Sequence, residues 1–260
     1  MQMNNSFKLL IIFLGGLLLL FIIAPLGGMF ISTTAPDLFI TIKDVEVTKS
    51  IRLTLFASLA ATLFMAIGAI PLAYLLARKN FFFKKLVLGI VDLPIVIPHS
   101  AAGIALLGFL SRDSILGKAA SSVGLNFVGN PLGIVAAMAF VSVPFLINAA
   151  RDGFLSVPVR LEKTAMSLGA SQARVFFTIS IPLAGRNIVS GMVMMFARGL
   201  SEFGAIVIIA YHPMVTPVLI FERFGSYGLH YAQPVAVTFI LITLLFFILL
   251  RYISGGKKNA

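Results

Sequence analysis

The sequence contains no cysteine, three histidines and only nine Asp and Glu among 260 residues. Without cysteine, disulfides, thiolate metal sites and thiol nucleophiles are all excluded. Charge of either sign is scarce: Asp, Glu, Lys and Arg make up 11% of the chain, against about 25% in soluble domains. No Gly-x4-Gly-Lys-Ser/Thr segment occurs, so the chain lacks the loop that cradles nucleotide phosphates. No His or carboxylate pair repeats at metal or acid–base spacing, which argues against an intramembrane enzyme.

Apolar residues, by contrast, are abundant. They form 59% of the chain, more than one soluble core of this size could bury, and they gather in runs of about 20 residues. The chain is therefore an all-α integral membrane protein, because a backbone crossing lipid must satisfy its own hydrogen bonds. Six spans pass the length test: Leu9–Ile31, Ile51–Ala77, Leu86–Leu110, Pro131–Ala150, Ile188–Tyr211 and Ala232–Tyr252. The first outlasts a signal-peptide core and has no small-x-small cleavage site, so it reads as a retained helix. Residues 1–50 hold this helix and an outer loop, 51–252 the remaining transmembrane domain, and 253–260 a tail.

The formal charge is +11. In a membrane chain this points to basic cytoplasmic loops touching anionic lipid rather than to nucleic acid. The N-terminus, 78–85, 151–186 and the C-terminus hold 13 Lys and Arg against six in the opposite loops. Both termini are thus expected in the cytoplasm of a multi-pass cell-membrane protein. No internal repeat relates two halves, which favours a chain that dimerises to form its pore over one built from inverted repeats.

Segment 151–186 is too long for a simple helix connection. Pro158 suits a first helical turn and Gly169 a helix stop. Leu161, Ala165 and Leu168 recur at i, i+4 and i+7 as one apolar stripe. Ser171 can cap a second helix, which Pro182 is expected to end. On composition alone, a loop lying on lipid headgroups and a rigid helix–Gly–helix knob that docks into another protein are both open.

The spacing of this segment resembles the EAA loop of ABC importer permeases: Glu-Ala-Ala, three residues, Gly, nine residues, Ile-x-Leu-Pro. Ala165, Gly169, Ile179 and Pro182 fall in register. Lys163 stands at the Glu position with Glu162 one residue earlier, Thr164 replaces the first Ala, and Ile181 replaces Leu. Further along the chain, VDLPIVIPH (Val91–His99), AGIALL (Ala102–Leu107) and ARGLSEFGA (Ala197–Ala205) are similar to molybdate/tungstate permeases. IAYHPM (Ile209–Met214) and FER (Phe221–Arg223) are similar to the archaeal-type tungstate/molybdate branch. The resemblance implies a type I ABC importer permease fold with six transmembrane helices and a cytoplasmic coupling-helix loop at 151–186. It implies a second copy of the permease, a dimer of separate ATP-binding subunits that hold ATP and Mg, and an extracellular oxyanion-binding protein. It implies no cofactor and no catalytic or metal-binding residue in this chain.

Arg198 and Glu202, with Ser201 between them, are one helical turn apart near the middle of the fifth span. A charge there must be paired or face water, so an ion pair that fixes packing and a positive station for a passing dianion both remain open. Asp92 is expected to pair locally with Lys84 and Lys85, with a place on the pathway as the alternative. His99 reads as a hydrogen-bonded packing residue, since His212 and His230 fall outside the membrane. Pro71, Pro94, Pro98 and Pro144 are expected to kink their spans. The competing functions are a sulfate or thiosulfate importer permease and, in another class, a self-sufficient secondary transporter or channel.

Overall fold

The computed structural model describes residues 5–255, which are helical almost throughout, with no strand among them. Five helices are long and apolar enough to span a membrane, and one sharply bent pair passes the same test together, as a broken span or a re-entrant loop. The first of them, α1 (Asn5–Ser32), leaves its Leu, Ile and Phe side chains exposed, as hydrocarbon permits. Thr34 and Asp37 form a reciprocal capping box that starts the short α2 (Ala35–Lys43).

The second span, α3 (Val45–Arg78), begins six residues earlier than expected because Asp44 caps it, accepting from the Glu46 and Val47 amides. Its 34 residues reach roughly 50 Å at 1.5 Å per residue. Pro71 lies inside it without breaking it.

The third span is not one helix. It divides into α4 (Lys84–Val96) and α5 (His99–Leu110), bent by 111°. Pro98 is the cause. Its ring bars the preceding residue from helical geometry, and Ile97 is extended at φ −71°, ψ 146°. Pro94, by contrast, stays inside α4. The segment that follows carries α6 (Ile115–Ser122), capped by Ser114.

The fourth span, α7 (Pro131–Ser156), starts on the Asn130 cap, keeps Pro144 in its interior and continues past Ala150 into the expected loop. Of 151–186, only α8 (Val159–Ser167) and its flanking turns stand apart from the spans. Ser171 does cap α9 (Gln172–Val175), accepting from the Arg174 amide at 3.3 Å. Pro182 does not end this helix, contrary to expectation. A π-helical turn, Phe176–Ser180, leads directly into α10 (Ile181–Leu200). The Ile181 amide reaches back five residues to the Phe176 carbonyl, and Pro182, which has no N–H to give, follows directly on this widened turn.

The expected fifth span, ending at Tyr211, also breaks. Helix α10 stops at Leu200, and after Ser201–Phe203 comes the six-residue α11 (Gly204–Ile209). Segment 212–231 contains α12 (Thr216–Tyr227). The sixth span, α13 (Leu229–Gly255), continues into the expected tail; Lys257 and Lys258 lie outside the described residues.

Three apolar clusters hold these helices together, and α3 contributes to all of them. Small residues bring α7 and α10 close: a side chain at Gly191 would meet Ala149 and Leu146, and one at Gly153 would meet Asn187. Membrane helices associate through such close packing because lipid offers no hydrophobic drive.

Candidate functional site

Helix α8 ends in a Schellman turn. The Gly169 amide donates to the Met166 carbonyl and the Ala170 amide to the Ala165 carbonyl, each at 3.0 Å. This requires φ +88° at Gly169, as the sequence predicts. Leu161 and Leu168 are 41% and 84% exposed, so most of the apolar stripe has no cover among the described residues.

The opposite face is anchored. Glu162 is buried, and its carboxylate accepts from Arg78 Nε at 3.0 Å to both oxygens and from Arg78 Nη2 at 2.9 Å. Ser180 Oγ adds a bond at 2.7 Å, and the Tyr74 hydroxyl lies at 3.4 Å. Arg78 also donates to the Val157 carbonyl at 3.0 Å. Burial pushes the Glu162 carboxyl up, but the bonds from Arg78 and Ser180 and the Arg78 charge outweigh it and hold the group below its usual range. Glu162, not the exposed Lys163, is therefore the acidic anchor of this loop. Ile179 is half-buried in the π turn, beside Ser180.

The bend between α4 and α5 meets the break that follows α10. A side chain at Gly204 would lie 2.8 Å from His99 Cβ, and one at Gly103 would lie 2.9 Å from Ala205 Cα, so glycine is what lets α5 and α11 touch. At this junction Glu202 is fully buried and capped by the Ala205 amide at 2.9 Å. Its Oε2 lies 2.8 Å from His99 Nδ1 and 3.1 Å from Arg198 Nη2. Arg198 Nη2 is in turn 2.8 Å from both His99 ring nitrogens, and Nη1 donates to Ser201 Oγ at 3.1 Å. The expected Arg198–Glu202 pair thus exists, but in the last turn of α10 and the break beyond it, not in mid-helix. His99 joins it from the start of α5.

Asp92 does not join this cluster, and it does not pair with Lys84 or Lys85 as expected. Its Oδ1 accepts from Asn148 Nδ2 on α7 at 2.7 Å, while Lys84 donates to Asn80. Seven or eight residues along a helix is roughly 11 Å, farther than the facing helix.

The sequence also left a second arginine clamp unread. Arg223 on α12 donates to Asp44 at 2.6 Å and to Glu46 at 3.2 Å, tying the N-terminal end of α3 to α12. Partners such as Asn148, Ser180, Tyr74 and Arg78 carry no local signal, since each lies on a different element from the acid it serves.

Residues 69–258 match the family described as binding-protein-dependent transport system inner membrane component. The molybdate/tungstate transport system permease protein WtpB of Pyrococcus furiosus is 46% identical over 250 residues, 95% of each chain. A probable sulfate transport system permease protein cysT of Chlorokybus atmophyticus is 31% identical over 206 residues, 78% of this chain and 72% of that one. The fold is similar to a chain in the crystal structure of a bacterial ABC transporter involved in the import of the acidic polysaccharide alginate. The TM-score there is 0.75 at 20% identity, covering 98% of this chain and 97% of that one.

Proposed function

The chain belongs to the binding-protein-dependent transport system inner membrane components, and from that membership we propose that it forms the membrane pathway of an ATP-driven importer for molybdate or tungstate. Helix α8 carries this reading: a short helix clamped to its own chain by Glu162 and Arg78 while Leu161 and Leu168 stay uncovered. Such a rigid, apolar-tipped knob is what a partner must grip if its motion is to move the spans.

In this reading α8 is the coupling helix, facing a dimer of cytoplasmic ATP-binding subunits that supply ATP hydrolysis. A second copy of the chain completes the pore. Both termini face the cytoplasm, and the outer helices α6 and α12 meet an extracellular oxyanion-binding protein. The 46% relative favours molybdate or tungstate over sulfate, whose named relative stands at 31%.

The test is reconstitution in liposomes with the ATP-binding subunit and the binding protein. ATP hydrolysis and uptake should rise together with tungstate or molybdate and respond less to sulfate. Uptake that proceeds without the ATP-binding subunit would refute the importer reading.

A further inference from the structure

We infer that the junction where the α4–α5 bend meets the break after α10 is an oxyanion station on the transport path, with Arg198 as its donor; this rests on the importer reading above. The guanidinium has five N–H groups. Glu202, His99 and Ser201 together occupy three of them. The Nε–H and the second Nη1–H have no acceptor among the described residues, and the side chain is 22% exposed.

The carboxylate is turned away from that opening. Glu202 has no exposed surface, and its oxygens are engaged by His99, Arg198 and the Ala205 amide. An anion arriving at the junction therefore meets free donors and not the acid. Next to them is the start of α5, where Pro98 provides no side-chain cap. Its unbonded amides and the positive end of its dipole add to the same potential. Ser100 and Ser201 are exposed there.

Three holders fix the guanidinium in place, so it need not reorganise when the ligand arrives. The chemistry suits a tetrahedral oxyanion that accepts hydrogen bonds on several oxygens. Glu202 also offsets the full arginine charge. That keeps the hold weak, as a pathway requires if its ligand is to leave.

The experiment is equilibrium dialysis of the purified permease–ATPase complex against tungstate without the binding protein, with bound tungsten measured by elemental mass spectrometry. Wild type should retain tungstate, and R198Q/E202Q, which neutralises both partners at nearly constant shape, should retain at least tenfold less. No retention by wild type above a protein-free control, or equal retention by the double variant, would overturn the assignment. A second measurement does not depend on how that variant folds. S201C places the only thiol of the chain beside an intact Arg198, and tungstate should slow its modification by a thiol reagent severalfold; no slowing would also refute the station. Uptake by the wild-type importer is followed in parallel. Its absence strikes the importer reading, whereas uptake without retention or protection strikes this inference alone.

Discussion

Glu162 on α8 and Arg78 at the end of α3 meet in a bidentate pair, Nε 3.0 Å from both carboxylate oxygens and Nη2 2.9 Å from one. The two residues are 84 apart in sequence. Helix α3 is one continuous helix, held at its other end by Arg223 through Asp44 and Glu46.

Removing Arg78 should detach α8. Arg78→Gln leaves a buried carboxylate without its countercharge, a loss on the order of 3 kcal/mol. Hydrogen exchange across 157–170 should accelerate and ATP-driven uptake should fall, while the double change Arg78→Gln with Glu162→Gln recovers part of the protection. Unchanged exchange in the single variant would show that the pair does not hold the loop.

The same pair sets a pH dependence. The folded Glu162 carboxyl lies below its ordinary 4.5, so the unfolded state binds its proton first as pH falls. The contribution is complete above that ordinary value and is lost as pH drops through the depressed one. The thermal midpoint of wild type should therefore exceed that of Glu162→Gln by a constant amount from about pH 6 to 8. The gap should shrink only in stronger acid; a gap that widened there would contradict the assignment.

Gly169 tests the turn. A side chain at this position meets nothing within 4 Å, so the penalty of substitution is the left-handed backbone alone. Gly169→Val should cost about 1 kcal/mol or more and reduce transport while the permease still inserts. Gly169→Asn, which tolerates positive φ, should retain more activity. Equal activity of the valine and asparagine variants would mean that the turn does not govern coupling.

Orientation can be read with single thiols, because the chain has none of its own. Ser171, Ser121 and Ser226 are all exposed. S171C should resist an impermeant thiol reagent outside intact cells and react after permeabilisation, and S121C and S226C should react from outside at once. The reverse pattern would invert the topology and remove α8 from the reach of a cytoplasmic ATPase.

Sequence by itself determined whatever depends on local covalent geometry or on partition between lipid and water. Runs of apolar residues placed the spans, because an uncharged stretch of that length has no better solvent than hydrocarbon. Ser171 as a cap and Gly169 as a left-handed stop were legible because each acts within a few residues of itself. Tertiary structure decided which polar groups meet. Pro94, Pro98 and Pro182 are the same residue type, yet only Pro98 breaks a span, because a π turn leads into Pro182 and α4 continues through Pro94. Asp92 took Asn148 instead of a lysine on its own helix, Glu162 instead of Lys163 became the anchor, and His99 at the start of α5 met Glu202 in the break after α10. A buried charge accepts the nearest partner in space, and that distance is fixed only once the helices have packed.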